Sequence, residues 1–189
     1  MAIFSTTGSD TYPAGHVIKQ SVSLDNDVAS AISTTNSSYT DTGVQVVHTT
    51  AKSSADSYLV VEFYGGMDNT ASDTYFFLDV LMRDSSSSSY DVAESLHKSN
   101  TYAAWYHEPD IATFYTAKYI RLFCGLVSEM GMPTTKSSWA AGDTLYFRFF
   151  YKVTGGTFVF AHGNSTYNFS VTEVSRRLKY LKNLMQYIL

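Results

Sequence analysis

Apolar and polar residues alternate along most of this chain with a period of two, the signature of strands that bury one face. His16, Ile18, Gln20, Val22 and Leu24 share one side of a first strand, and Val44, Val46 and His48 alternate in a second. Leu59, Val61 and Phe63 alternate against Tyr58, Val60, Glu62 and Tyr64, and Gly65-Gly66 predicts the end of that strand. Phe76, Leu78, Val80 and Met82 share a face opposite Asp79 and Arg83; Ile120, Leu122, Cys124 and Leu126 share another. Leu145, Phe147, Phe149, Tyr151 and Val153 alternate with Tyr146, Arg148, Phe150 and Lys152. Thr154-Gly155-Gly156 predicts a hairpin turn, since Gly supplies the positive φ that tight hairpins need. The chain then returns over 158–162, turns at His162-Gly163-Asn164, and ends its strands over 167–173. Residues 25–38 and 85–89 read as loops; 90–116 is less regular, with one strand within 102–106.

Many short strands punctuated by Gly, Asn and Ser predict an all-β domain, an antiparallel β-sandwich or barrel. The two ends break the period. Residues 1–14 read as an N-terminal arm, in which Ile3 and Phe4 are out of place in water and are candidates for docking on a neighbour. Val174, Leu178, Leu181, Met185 and Ile188 are spaced 4, 3, 4 and 3 apart. That spacing predicts a short, basic, amphipathic C-terminal α-helix over 174–189 with a heptad seam. Two heptads are too few for an isolated coiled coil, so the helix either packs on its own domain or meets copies of itself. The predicted organisation is an arm at 1–14, a sandwich at 15–173 and a helix at 174–189.

Composition sharpens this picture. Of 189 residues, 46 are Ser or Thr, 15 are Tyr and 12 are Phe. Small hydroxyls compete with the helical backbone, and aromatics fit a pleated sheet. Charged residues make up 16%, below the roughly 25% usual in soluble domains, so the surface suits contact with protein or sugar. Residues 1–173 hold all 17 acidic residues against nine basic ones, whereas 174–189 carry four cations and no acid. An acidic body repels nucleic acid. The single cysteine, Cys124, excludes an internal disulfide and reads as apolar packing in a reducing compartment. MAIFSTTGSD has neither the basic nor the apolar region of a signal peptide, and no run of 18 apolar residues predicts a membrane span.

No catalytic signature is readable: there is no phosphate-cradling Gly loop, no G-x-S-x-G, no H-E-x-x-H and no C-x-x-C. The chain therefore reads as a non-enzyme without cofactor or metal. Trp105-Tyr106-His107-Glu108-Pro109-Asp110 is the densest local group. Neighbouring strand residues point to opposite faces, so His107 and Glu108 converge on a metal only if Pro109 turns the chain. Trp105 and Tyr106 beside acids also resemble sugar-contact chemistry, although such groups are equally ordinary at protein interfaces. Aromatics also occupy both sides of 145–151, which predicts a second covered face, either by another subunit or by residues 90–116.

The order Gly15-His16-Val17-Ile18-Lys19-Gln20, then Ser33-Thr34-Thr35-Asn36-Ser37-Ser38-Tyr39-Thr40-Asp41-Thr42-Gly43, then a polar loop over 51–56 before a strand, resembles a group of small phage virion proteins labelled tail-fibre-like or structural. Ala141-Gly142-Asp143-Thr144 and Val171-Thr172-Glu173-Val174 match their later pattern. Ala51 stands where that pattern has proline, Tyr58 where it has an aliphatic residue, and the basic segment after Val174 lies outside it. The resemblance implies a jelly-roll-like sandwich of the tumour-necrosis-factor type, commonly a homotrimer, in a virion made in the host cytoplasm. It points to a capsid decoration (cement) protein beside the major capsid protein, or to a tail-fibre or tail-tip protein that binds a host glycan. The interaction residues expected are Ile3, Phe4, Trp105, Tyr106, Leu178, Leu181, Met185 and Ile188.

Overall fold

A computed structural model describes residues 15–25, 32–69, 75–90, 105–107, 116–124, 138–160 and 167–176. The described residues form ten strands: β1 (Val17–Asp25), β2 (Ile32–Thr34), β3 (Thr40–Thr49), β4 (Ser57–Asn69), β5 (Phe76–Asp84), β6 (Trp105–His107), β7 (Thr116–Cys124), β8 (Thr144–Val153), β9 (Phe158–Phe160) and β10 (Tyr167–Ser175). All pairings are antiparallel.

One sheet, called A here, runs β1-β10-β4-β7; the other, sheet B, runs β3-β8-β5-β6. Short β2 and β9 extend sheet A beyond the ends of β1 and β10. Met67 shows how: it pairs with Thr116 of β7 on one side and Phe160 of β9 on the other. With the two short strands set aside, the eight remaining strands, counted along the chain, pair as 1-8-3-6 and 2-7-4-5. That interleaving is the double Greek key of a jelly roll.

The period-two pattern places the core correctly. Leu59, Val61, Phe63, Phe169, Val171, Ile120 and Leu122 of sheet A face Val44, Val46, Phe147, Phe149, Leu78, Val80 and Met82 of sheet B. Aromatic rings fill the gap between the sheets: Phe149 lies 4.7 Å from Phe63 and 4.5 Å from Phe169, and Phe76 stacks on Phe158 at 4.7 Å. Each such pair contributes about 0.5–1.5 kcal/mol beyond its burial.

Several expectations change. β4 does not end at Gly65-Gly66 but continues to Asn69. A Cβ on Gly65 would lie 2.5 Å from the Phe63 ring, so this glycine makes room for a core aromatic rather than stopping a strand. The loop read over 25–38 contains β2. Thr154-Gly155-Gly156 is no hairpin, because β8 and β9 belong to different sheets; the turn, with Gly156 at φ 67°, carries the chain across the sandwich. β10 runs to Ser175, so Val174 pairs with Tyr58 and Val17 instead of opening a helix. The described residues contain no helix. The arm at 1–14, with Ile3 and Phe4, lies outside them, as do Leu178, Leu181, Met185 and Ile188.

Candidate functional site

Three places in the sandwich gather polar chemistry. The first lies between the sheets. Glu173 of β10 points inward and is fully buried, as is His48 of β3. The Glu173 carboxylate accepts the Ala51 N–H at 2.6 Å on Oε2, and the Lys52 N–H and Ser57 hydroxyl at 2.8 Å on Oε1. His48 Nε2 stands 3.5 Å from Glu173 Oε2, and its Nδ1 is hydrogen-bonded to the Ser21 hydroxyl of β1 at 3.0 Å. Burial pushes the Glu173 carboxyl up, but His48 and the bonds from Ala51, Ser57 and Lys52 outweigh it, and the group sits below the usual carboxylate range.

Ser21, His48 and Glu173 follow the order of a hydrolytic relay, but the arrangement suits fastening. A relay needs a base that a substrate proton can reach, and His48 has no exposed surface. Glu173 spends its oxygens on the segment after β3. That segment is held again by Trp139, whose indole N–H donates to Lys52 O at 3.2 Å, and by Thr50, whose hydroxyl donates to Ala140 O at 2.8 Å. The cluster ties β1 and β10 of sheet A to β3 of sheet B.

The second place is the outward face of sheet B. Here Arg83 lies 3.9 Å from the Tyr146 ring centre and 5.1 Å from that of Tyr90. Arg148 donates to Asp41 Oδ2 and Gln45 Oε1, both at 2.6 Å. Lys152 sits 4.7 Å from both Tyr39 and Phe77. Tyr90 packs on Phe150 and donates its hydroxyl to Gln45. Asp79 and Leu81 point outward yet are only 1% and 2% exposed. Burial, then the nearby Asp79 charge, pushes the Tyr39 phenol far up. Of the two covers expected for this face, another subunit or residues 90–116, Tyr90 belongs to the second; Tyr39, before β3, is not among them, and 91–104 and 108–115 lie outside the described residues.

The third place is the outward face of sheet A. Tyr64 of β4 and Tyr119 of β7 are direct cross-strand partners, 53% and 58% exposed. Beside them Glu62 pairs with Arg121 at 3.5 Å. The Tyr119 hydroxyl donates to Glu62, and that bond pushes the phenol up. Asn168 of β10 is exposed on the other flank of Tyr64. Val22 of β1 is also exposed.

Among the expected interaction residues, Trp105 and Tyr106 fall in β6, in register with Leu78 and Phe77 at the edge of sheet B. They are not brought near Tyr64 and Tyr119, which belong to the other sheet. Sequence reading put Tyr64 and Glu62 on the face opposite the core but missed Tyr119. The alternation of Tyr119 with Ile120 carried that signal.

No family model matches the chain, and no curated protein matches it. Among solved structures, Eiger TNF from S. frugiperda aligns over 87% of this chain and 97% of its own at 9% identity, with a TM-score of 0.41. Desmodium yellow mottle tymovirus aligns over 92% and 97% at 12% identity and 0.26. The VP2 subviral particle of infectious bursal disease virus aligns over 100% and 52% at 8% identity and 0.27. All three scores are low, and the jelly-roll assignment stands on the strand order itself.

Proposed function

We propose that the chain is a non-enzymatic structural protein of a phage virion, a homotrimeric decoration protein that stabilises the capsid beside the major capsid protein. The observation that carries this reading is where the polar chemistry goes. The buried acid and histidine tie one sheet to the other, and the cations of sheet B pack against its own aromatics. These groups build a rigid block rather than a reaction site. The motif order over 15–62 and 141–174 supports a virion setting, and the arm at 1–14 and the basic segment at 177–189 supply the gripping ends of this reading.

The copy number of the chain in purified virions, read by quantitative mass spectrometry, tests the reading. Hundreds of copies support decoration; a few dozen or fewer overturn it in favour of a tail component. Light scattering on the purified protein tests the trimer, and a monomer at micromolar concentration would count against it.

A further inference from the structure

Burial on the outward face of sheet A is uneven along its strands. Near Arg176 the outward row of β10, Ser170, Thr172 and Val174, is buried, and so is Val60 beside it on β4. At the other end of the same two strands Asn168 and Tyr64 are exposed. Val60 and Val174 stand outside the cluster between the sheets, so the sandwich core does not bury them. Gln20 donates to the Thr172 hydroxyl at 3.2 Å and accounts for that group, but Val60 lies one strand further on. A sheet with one open face leaves its outward side chains in water. This burial exists within a single chain, so the cover belongs to that chain.

We infer that residues 177–189 are this cover and lie in cis across the Arg176 end of the outward face of sheet A, with Leu178, Leu181, Met185 and Ile188 against Val60, Val174 and Phe123. The chain leaves the sheet at this end from a fixed point: the Arg176 N–H donates to Asp56 O at 2.8 Å and its Nε to Ser57 O at 3.0 Å. Wound as a helix, 177–189 reach about 20 Å, against about 14 Å from β1 to β7. The four apolar residues recur 3, 4 and 3 apart, the stripe that a helix buries against a flat surface. Ser170, Thr172 and Val174 are small, which lets a helix approach the sheet closely over β10. Residues 174–189 hold four cations and no acid, whereas 1–173 carry an excess of acid, an attraction that favours the tail's own domain. Residues 1–14 leave at the same end, through Gly15 and its bond to Ser175 O, but they offer no apolar row of that length. With the stripe inward, Lys179 falls on the far side and stays open to a neighbouring protein. The inference goes beyond the virion reading, and the copy number that tests that reading does not bear on it.

Maleimide labelling of the full chain carrying Val60→Cys tests it. The native Cys124 is fully buried, and the parent's own labelling sets the background. Labelling at position 60 should be slow and independent of protein concentration, whereas labelling of Tyr119→Cys should be fast. Ending the chain after Arg176 should speed labelling at position 60 roughly tenfold or more, as expected when a local protecting element is lost, and leave position 119 unchanged. Leu181→Asp in the full chain should act in the same direction, so the test holds even if the shortened chain does not fold; melting curves show which variants do. Protection at position 60 that survives both changes overturns the inference. Protection lost on removing residues 1–13 instead overturns it in favour of the arm, and protection that grows with concentration overturns it in favour of a second copy.

Discussion

The outward faces of the two sheets begin from the same pattern and end differently. In both, large side chains alternate with core residues: Tyr146, Arg148, Phe150 and Lys152 in β8, and Tyr58, Val60, Glu62 and Tyr64 in β4. On sheet B these side chains are roofed by Tyr39 and Tyr90 and drawn into cation–aromatic contacts, and even Asp79 is buried. On sheet A the outward Val60 and Thr172 are buried as well, but Tyr64 and Tyr119 keep more than half their surface in water. Alternation shows that a strand has two faces. Whether the outer face is covered depends on residues elsewhere in the chain, which period-two reasoning does not see.

The largest expected effect falls on neither face but on the fastener between them, and sets the scale. Glu173→Ala leaves the N–H groups of Ala51 and Lys52 and the Ser57 hydroxyl without their acceptor. It should cost about 3 kcal/mol or more in urea unfolding. Because the folded pKa of Glu173 is depressed, its contribution is present above the unfolded value near 4.5 and is lost as pH falls through the lower folded value. The stability gap between the parent and Glu173→Gln should therefore hold steady near neutrality and close only in acid below that value.

The next effect divides the two faces. Leu81→Ala, outward on sheet B but buried, should cost about 2–4 kcal/mol, as a core truncation does. Val22→Ala, outward on sheet A and exposed, should stay within about 0.5 kcal/mol. Equal costs would break the comparison. Arg148→Ala removes bonds to Asp41 and Gln45 at a half-buried site and should cost about 1 kcal/mol in the same assay. Smallest of all, Tyr64→Ala and Tyr119→Ala should shift stability by no more than about 0.5 kcal/mol. A larger loss would mean that these rings support the fold.

Most of the sandwich was legible because burial on one face imposes alternation. β5 and β8 could be read almost to the residue from Phe76 and Leu145 onward, whereas β3 begins at Thr40, four residues ahead of the Val44 where its alternation becomes visible. What failed was local: Gly65 looked like a stop although its role is to vacate space for Phe63, and Gly155-Gly156 looked like a hairpin although it bridges two sheets. Gly65 answers to a neighbouring ring, and the positive φ of Gly156 marks a turn without saying which sheet the next strand joins. The Glu173 cluster was unreadable because its donors lie more than 100 residues away along the chain. Val174 opened the heptad spacing, but a single apolar residue also fits the outer row of β10, where it follows Ser170 and Thr172.

The pairing of β1 with β10 has a consequence for how the molecule is made. Among the described residues, β10 is the only sheet partner of β1, and the His16 N–H reaches the Ser175 hydroxyl across 159 positions of sequence. During synthesis β1 therefore emerges before the other described strands and waits for nearly all of them before it has its partner to zip against, a long-range closure of the kind that slows folding. Through that interval its unpaired edge is open to the same strand of a neighbouring nascent chain. Joining position 176 back to position 15 by a short linker and opening the chain at the exposed 85–89 turn would make this pairing local. Such a permutant should refold faster than the parent in stopped-flow dilution from urea, at little cost to the finished sandwich.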